Sequence, residues 1–248
     1  AMECPPIPDP NSNQYVNDCD NTYEETSHNI KETLVTFFYC KFKGINNWDP
    51  GLGGAIYLST SDKIQKDIKL PFKIYNCEFS TCFSTKGGAI AIESTEDSRP
   101  FEIKDCQFTG NECKKSDTDS FSDESFGGAL FINAKSAKIL ISSSTFNYNK
   151  AGNGGAIYYI TDSPISSKLL EGETENDCSL KVTGCTFTQN EGYNDGGAIH
   201  ISLLNGEPPK PIEISQCLFN LNWADEFDFN QDGFDILPES GGAIYFAY

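Results

Sequence analysis

The chain has few cationic side chains and no long apolar run. Among its 248 residues, 18 are Lys or Arg and 36 are Asp or Glu, which gives a formal net charge of −18, and Arg99 is the single arginine. Phosphate binding needs clustered Lys and Arg, so this composition excludes nucleic acid, and an anionic membrane surface, as expected partners. A membrane-spanning helix needs about 18 consecutive apolar residues, and no run of that length is present. The surplus of acids favours solubility and attracts cations or basic proteins.

A three-part motif occurs six times along the chain from residue 35 onward. Each copy has two apolar residues in alternation, then Cys-x-Phe, then Gly-Gly-Ala-Ile. The alternating pairs are Val35/Phe37, Phe72/Ile74, Phe101/Ile103, Ile139/Ile141, Leu180/Val182 and Ile212/Ile214. The Cys-x-Phe segments begin at Cys40, Cys77, Cys106, Ser144 (serine replacing cysteine), Cys185 and Cys217, and the glycine segments lead into Ile56, Ile90, Leu130, Ile157, Ile199 and Ile244. A repeat period of roughly 27–45 residues predicts a stacked-repeat fold.

The spacing within the motif predicts three short strands per copy. Residues two apart face the same side of a strand, so both members of each alternating pair face inward. The spacing of three before the cysteine would reverse the face of a straight strand, so a corner must lie there. We therefore predict an all-β fold, a right-handed parallel β-helix of about six three-strand coils over residues 35–248, with long corner loops. Residues 1–34 lack the repeat and are predicted to form an N-terminal cap segment, in which 24–34 could fold as a short amphipathic element.

Asparagine follows the core phenylalanine by three residues in four of the six copies. Asparagine tolerates a left-handed backbone, and its amide can hydrogen bond along a stack of identical neighbours. We therefore expect an asparagine ladder formed by Asn111, Asn149, Asn190 and Asn222. In the second copy Cys82 takes this position, and in the first copy Asn46 comes one residue late. The paired glycines suit a turn that needs a positive φ or a close backbone approach.

The ten cysteines divide into two sets of five. One set lies in the inward column of the Cys-x-Phe segments, where a thiol is a small apolar filler. The other set is Cys4, Cys19, Cys82, Cys113 and Cys178. The spacings do not fit a structural zinc site, so we predict disulfides in this set and an oxidising compartment. The expected pairs are Cys82–Cys113 and Cys4–Cys19, and Cys106 is expected to be a buried free thiol; the open alternative is that all ten are buried thiols.

The combination of Phe-x-x-Asn with Gly-Gly-Ala-Ile or Gly-Gly-Ala-Leu resembles the repeat of the chlamydial polymorphic outer-membrane proteins. Related repeats occur in large surface proteins of some parasitic protists. The resemblance extends over about residues 35–248 and rests on the combination, since Gly-Gly-Ala alone is not specific. It implies a surface-displayed or secreted β-helical passenger used in adhesion. Because the last copy of the motif runs to Tyr248, we expect the chain to be an N-terminal piece of a longer protein.

One insertion has the pattern of a calcium-binding loop, D-x-[DN]-x-[DN]-G-x5-E, over residues 228–239. Oxygen ligands at alternate positions can converge on one hard cation, and Gly233 permits the sharp turn. The expected ligands of Ca²⁺ are Asp228, Asn230, Asp232, Glu239 and the backbone carbonyl of Phe234. The flanking helices of such loops are missing from the pattern, and Asp235 stands where an apolar residue is usual. The alternative is a solvated acidic loop.

A candidate ligand surface follows from the parity of the Gly-Gly-Ala-Ile strand. If Ile56 and Leu58 face inward, the residue between them faces outward. In the six copies this outward column is Tyr57, Ala91, Phe131, Tyr158, His200 and Tyr245. An aromatic column could stack sugars or dock a protein. The alternative is stacking between coils that stabilises the sheet, under a loop.

The motifs of catalysis are missing from the repeat. Lyases of this shape typically need a basic residue, often arginine, and Arg99 stands alone beside a proline. Hydrolase signatures and a fixed pair of catalytic carboxylates are also missing, so we do not expect an enzyme. The function predicted is a secreted or cell-surface adhesin-like module that recognises a cell-surface protein or glycan, with self-association open. The alternatives are a polysaccharide-active β-helix and a structural stalk without a ligand.

Overall fold

Twenty-six short β-strands and no helix make up the part of the chain that the structure describes. The structure is a computed structural model that describes residues 2–3, 7–8, 15–16, 35–47, 51–60, 71–94, 100–114, 124–134, 137–161, 179–204, 211–224 and 242–247. Three strands precede the repeat: β1 (Met2–Glu3), β2 (Ile7–Pro8) and β3 (Tyr15–Val16). The first three coils contain β4 (Val35–Phe38), β5 (Lys41–Lys43), β6 (Ile56–Thr60), β7 (Phe72–Tyr75), β8 (Glu78–Ser80), β9 (Phe83–Ser84), β10 (Ile90–Ser94), β11 (Phe101–Lys104), β12 (Gln107–Thr109), β13 (Glu112–Cys113) and β14 (Leu130–Ala134). The last three coils contain β15 (Ile139–Ser142), β16 (Thr145–Asn147), β17 (Lys150–Asn153), β18 (Ile157–Thr161), β19 (Leu180–Thr183), β20 (Thr186–Thr188), β21 (Glu191–Asp195), β22 (Ile199–Leu203), β23 (Ile212–Ser215), β24 (Leu218–Asn220), β25 (Trp223–Ala224) and β26 (Ile244–Ala247).

Equivalent strands of successive coils stack into four sheets. The first sheet holds the alternating-pair strands β4, β7, β11, β15, β19 and β23, and the second holds the Cys-x-Phe strands β5, β8, β12, β16, β20 and β24. The third sheet holds β9, β13, β17, β21 and β25, and the fourth holds the Gly-Gly-Ala-Ile strands β6, β10, β14, β18, β22 and β26. Neighbouring coils pair in parallel, with each motif residue opposite its counterpart. The predicted parallel β-helix is confirmed.

The coil has one more strand than the sequence predicted. After the asparagine corner the chain stays extended for two to five residues, and these residues pair with their counterparts in the next coil to form the third sheet. The prediction missed this strand because it carries no repeated apolar pair. In the first coil the same position is reduced to an isolated bridge between Asn46 and Phe83.

The core consists of columns of like side chains that run along the stack. Six phenylalanines of the second sheet lie nearly parallel, with adjacent ring centroids 4.8–4.9 Å apart, and they are Phe42, Phe79, Phe108, Phe146, Phe187 and Phe219. The predicted inward column of the fourth sheet is also confirmed, since Ile56, Ile90, Leu130, Ile157 and Ile199 are buried and Ile244 packs against the same core. Complete burial of one such side chain stabilises the fold by roughly 1.5–3 kcal/mol, so these columns supply much of its stability.

Left-handed residues form the first two corners of each coil. The corner before the cysteine has a positive φ at Tyr39, Asn76, Asp105, Ser143, Gly184 and Gln216. The corner after the phenylalanine has one at Gly44, Thr81, Gly110, Tyr148, Gln189 and Leu221. The left-handed position is therefore the residue before each ladder asparagine, and the expectation that the asparagine itself would adopt it is wrong. The asparagine instead faces the interior, where its amide is needed for hydrogen bonding.

The two glycines at the third corner have separate roles. The first glycine has a positive φ, as at Gly154 with φ 65°. The second glycine lies against the next coil, and a Cβ added at Gly155 would collide with the backbone of Gly197 and Glu191. Both reasons given for the glycine pair, a positive φ and a close approach, are thus confirmed, each at a different residue.

The structure contradicts the predicted Cys82–Cys113 disulfide. Both residues are buried free thiols, and the third-sheet register places Cys113 opposite Ser84. Cys82 belongs instead to the asparagine corner, where its backbone N–H donates to Oδ1 of Asn111 at 3.1 Å. The two cysteines are therefore offset by two residues along the strand direction as well as by one coil. Cys106 is a buried free thiol, as predicted, whereas Cys4, Cys19 and Cys178 lie outside the described residues.

A strand of the N-terminal segment covers one edge of the first coil. Strand β1 pairs antiparallel with β5, with Met2 opposite Phe42 and Glu3 opposite Lys41. Strands β2 and β3 form a separate antiparallel pair. An antiparallel strand at this position blocks further parallel stacking on the second sheet. The predicted element at 24–34 lies outside the described residues, and the division at residue 34 stays a prediction.

Candidate functional site

The outward column of the fourth sheet is one continuous ladder, as strand parity predicted. Backbone pairing places its members opposite one another in the order Tyr57, Ala91, Phe131, Tyr158, His200 and Tyr245. Ring centroids are 5.9 Å apart for Phe131 and Tyr158, 4.6 Å for Tyr158 and His200, and 4.9 Å for His200 and Tyr245. These separations lie in the range of favourable aromatic contacts, so the column stabilises adjacent coils.

The middle of this column is buried. The exposed fraction is 4% for Phe131 and 6% for both Tyr158 and His200, whereas Tyr57 at the end is 45% exposed. Phe131 and Tyr158 form a second, smaller apolar cluster with Ala91, and Leu52, Phe126 and Ile160 pack against it. In this structure the column therefore acts mainly in packing between coils. A ligand-binding role for these residues stays a prediction.

Phe126 and Lys86 cover part of the ladder. The Phe126 ring lies 4.6 Å from the Tyr158 ring, and the Lys86 ammonium lies 5.3 Å from the centroid of Phe131. Both residues precede a glycine pair, and the backbones of Lys86 and Phe126 form a parallel bridge. At the third corner, the residue directly before the glycine pair thus lies over the ladder.

His200 is a buried ionisable member of the ladder. It lies between the rings of Tyr158 and Tyr245, and its Nδ1 atom is buried without a hydrogen-bond partner. Burial lowers the pKa of His200 to about 4, because the charged imidazolium would lose its hydration. Burial likewise raises the pKa of Tyr158. His200 is therefore neutral at physiological pH and acts as an aromatic member of the column.

The exposed end of the ladder carries a polar contact. The hydroxyl of Tyr57 donates a hydrogen bond to Oε2 of Glu93 at 2.7 Å. Burial is the main cause that raises the pKa of Tyr57, and Glu93 adds to it. The ring of Tyr57 is thus held in place on the surface, and of the predicted ligand residues it is the most accessible.

The outward face of the third sheet carries charges in ion pairs. Lys114 Nζ lies 2.7 Å from Glu112 Oε2, and Lys150 Nζ lies 2.7 Å from Glu191 Oε2. Strand pairing puts Glu112 opposite Lys150 and Lys150 opposite Glu191, so charges of opposite sign alternate along the stack. This alternation favours the in-register pairing of coils and keeps these carboxylates engaged with lysines.

An exposed apolar corner on the sixth coil was not found by sequence reasoning. Leu218, Leu221 and Trp223 are 60%, 66% and 43% exposed. They lie on β24, on the corner after it and on β25, within six consecutive residues. A comparison of outward positions between copies would have shown the signal, because the fifth coil has threonine, glutamine and glutamate at the same places.

The predicted calcium site cannot be placed. Its ligands Asp228, Asn230, Asp232, Phe234 and Glu239 lie outside the described residues, so binding of Ca²⁺ stays a prediction. Within the described ranges, no group of three or more His, Cys, Asp and Glu side chains could hold a metal ion. Among those same residues, no helix is long and apolar enough to cross a membrane.

A protein-family model matches two parts of the chain. The model of the Chlamydia polymorphic membrane protein repeat matches residues 143–159 and 184–202. Each match begins at the first corner and ends in the Gly-Gly-Ala-Ile strand, in the fourth coil and the fifth coil respectively. The resemblance predicted from the motifs is confirmed at these two repeats. No curated protein and no solved structure matches the chain.

Proposed function

We propose that the chain is a binding module displayed at a cell surface, where it attaches to a protein or glycan of another cell. The observation that carries this proposal is the match of two coils to the repeat of a membrane protein family. The fold supports it, because the inward columns repeat from coil to coil while the outward residues differ. Binding residues commonly lie on variable surface positions held by a rigid scaffold.

The electrostatic character of the chain supports a protein or cationic partner. A net charge of −18 repels anionic surfaces and attracts basic ones over a distance of about a Debye length, roughly 8 Å at physiological salt. The described exposed side chains also include apolar residues that make no contribution to the core, such as Tyr148 at 53% and Leu221 at 66% exposure. Single exposed apolar residues are ordinary on protein surfaces, so the net charge is the observation that favours a basic partner.

An adhesion assay tests this function. Beads coated with the folded protein are applied to cultured epithelial cells beside beads coated with an unrelated protein of similar net charge. We expect adhesion of the first beads only, and competition by excess soluble protein, because multivalent display makes weak contacts measurable. Equal adhesion of both kinds of bead would contradict the proposal and would leave the stalk as the better account.

A further inference from the structure

The outward face of the second sheet carries no charged residue in the third, fourth and fifth coils. Strands β12, β16 and β20 each place two side chains outward, on either side of a buried phenylalanine. Backbone pairing aligns these positions in two columns along the stack. We name this surface the polar face, and its six residues are Gln107, Thr109, Thr145, Asn147, Thr186 and Thr188. All six side chains end in a hydroxyl or an amide, on a chain with a formal net charge of −18.

The side chains of the polar face have no hydrogen-bond partner among the described residues. Outward residues of the neighbouring sheets, in contrast, are engaged with one another. In the first sheet Lys181 Nζ lies 2.9 Å from Glu213 Oε2, and in the third sheet Lys150 Nζ lies 2.7 Å from Glu191 Oε2. The polar face therefore offers donors and acceptors that only water or a ligand can satisfy.

The groups of the polar face are regularly spaced in both directions. Successive coils are about 4.8 Å apart, and the two outward residues of one strand are about 6.6 Å apart along it. The buried rings beneath the face fix this spacing, since the centroids of Phe108, Phe146 and Phe187 follow one another at 4.8 Å. A ligand with a repeating unit can thus meet an equivalent pair of groups on each coil.

One aromatic ring borders the polar face. Tyr148 lies at the corner directly after β16 and is 53% exposed. At the same corner the third coil has Gly110, which has no side chain, and the fifth coil has Gln189. On the side of the third coil the ring therefore has no neighbouring side chain at this corner, and it is open to a ligand that lies along the stack.

The chemistry of the polar face indicates the class of ligand. Protein interfaces have an apolar centre and a polar rim, whereas this face has hydroxyls and amides at its centre and a single ring at its edge. Sugars present many hydroxyl groups and apolar ring faces, which suit hydrogen-bonding side chains and an aromatic ring. The net charge of −18 repels anionic chains. We propose that the polar face binds a neutral polysaccharide that lies along the stack and contacts several coils. This inference rests on the proposed binding function and chooses the glycan between its two partner classes.

The test removes hydroxyl groups from the polar face without changing its charge. The variant Thr145→Val/Thr186→Val replaces two half-buried outward threonines by residues of similar shape that also favour strands. The matched control Thr36→Val/Thr183→Val makes the same change at outward positions of the first sheet. Affinity electrophoresis measures binding in gels that contain mannan, xyloglucan or hydroxyethyl cellulose, with heparin as the anionic polysaccharide. Thermal unfolding checks that each protein is folded.

We expect at least one of the three neutral polysaccharides to retard the unaltered chain, and heparin not to retard it. Thr145→Val/Thr186→Val should bind at least about fivefold more weakly, and so should Tyr148→Ala, because each loses direct contacts with the ligand. The control should bind like the unaltered chain. Equal binding by Thr145→Val/Thr186→Val and the control, or no retardation in any neutral gel, would overturn the polar face as a glycan site. Stronger retardation by heparin would overturn the neutral ligand class.

Bead adhesion separates this inference from the proposed function. Beads coated with Thr145→Val/Thr186→Val should adhere to epithelial cells less than beads coated with the control. Equal adhesion of these two kinds of bead would overturn the role of the polar face and leave the binding function standing. Retardation of the unaltered chain in a neutral gel without adhesion to the cells would overturn the proposed function and leave the polar face as a glycan site.

Discussion

Asn149 donates two hydrogen bonds to the same atom of Asn190. Its backbone N–H lies 3.1 Å, and its Nδ2 2.9 Å, from Oδ1 of Asn190. Its Nδ2 also donates to the carbonyl of Phe108 at 3.1 Å, and its own Oδ1 accepts from the backbone and side chain of Asn111. The pattern repeats from Asn190 to Asn222, so the buried amides of Asn111, Asn149 and Asn190 and the half-buried amide of Asn222 are paired with their neighbours in the stack. The ladder connects four coils, and each asparagine side chain donates to the asparagine of the following coil.

Replacement of Asn149 should weaken the middle of the stack. In Asn149→Ala the buried N–H of Asn111 and the carbonyl of Phe108 lose their partners, and each unsatisfied group costs about 1–3 kcal/mol. We expect the free energy of unfolding to fall by roughly 3–5 kcal/mol, measured by urea denaturation. Asn147→Ala, two residues earlier on the outward side of β16, is the matched control and should cost clearly less. Equal losses in the two variants would show that the ladder does not stabilise the coils as described.

Replacement of the second glycine of the pair should also destabilise the fold at one point of the stack. In Gly155→Ala the added Cβ meets the backbone of the next coil, which cannot move without breaking the fourth-sheet pairing. We expect a loss of roughly 3 kcal/mol or more. Gly242 is the equivalent residue of the sixth coil, and a Cβ there has no heavy atom within 4 Å. Gly242→Ala should therefore unfold at the temperature of the unaltered chain, and a large effect at both positions would contradict the close approach between coils.

Much of the interior was predictable from the sequence, and much of the exterior was not. Phe146 and Ile157 recur with a fixed spacing, and a repeated inward position can be recognised without knowledge of the rest of the chain. The burial of Tyr158 could not be predicted in this way, because it depends on Phe126. The position before the glycine pair is fixed in the repeat, but its residue type is not, since the equivalents of Phe126 are Leu52, Lys86 and Asn153. Leu221 was missed because the inward columns were compared between copies and the outward ones only in the fourth sheet.

The predicted disulfide was wrong for a related reason. Cys82 and Cys113 both follow a core phenylalanine closely, which suggested the same corner for both. The Asn111 side chain defines the corner of its coil, and Cys113 comes two residues after it, on a strand that sequence reasoning did not expect. The register of a short strand without apolar alternation depends on its hydrogen bonding to the next coil, which sequence spacing alone does not reveal.

Thiol labelling tests the corrected cysteine assignment. Cys82 and Cys113 are buried, and burial raises the pKa of Cys113 to about 12, so a reactive thiolate is rare. We expect neither cysteine to react with iodoacetamide in the folded protein and both to react in guanidinium chloride without reductant. Mass mapping of peptides gives the result. Labelling that requires reductant as well as denaturant would restore the disulfide.

His200 predicts a loss of stability in acid. Its folded-state pKa of about 4 lies below the ordinary value of 6.5, so the unfolded chain binds the proton more readily as the pH falls between these values. The stability that depends on a neutral His200 is fully present above pH 6.5. As the pH falls toward 4, the free energy of unfolding decreases by roughly 3 kcal/mol at most through this residue. In His200→Phe this part of the pH dependence should disappear, while the part due to carboxylates remains. Parallel pH profiles of unfolding free energy for the two proteins would contradict a buried, neutral His200.

The central claim is that the coils stack in register around inward columns, and Ile157→Asp tests it most directly. Ile157 is completely buried in the inward column of the fourth sheet, so aspartate there places an unpaired charge in the middle of the stack. The measurement is the circular dichroism spectrum and the urea unfolding curve of the variant, beside Tyr148→Asp at an exposed corner of the same coil. The account predicts that Ile157→Asp loses cooperative folding and that Tyr148→Asp folds like the unaltered chain. A soluble Ile157→Asp variant with an unchanged β-type spectrum and unfolding curve would contradict it.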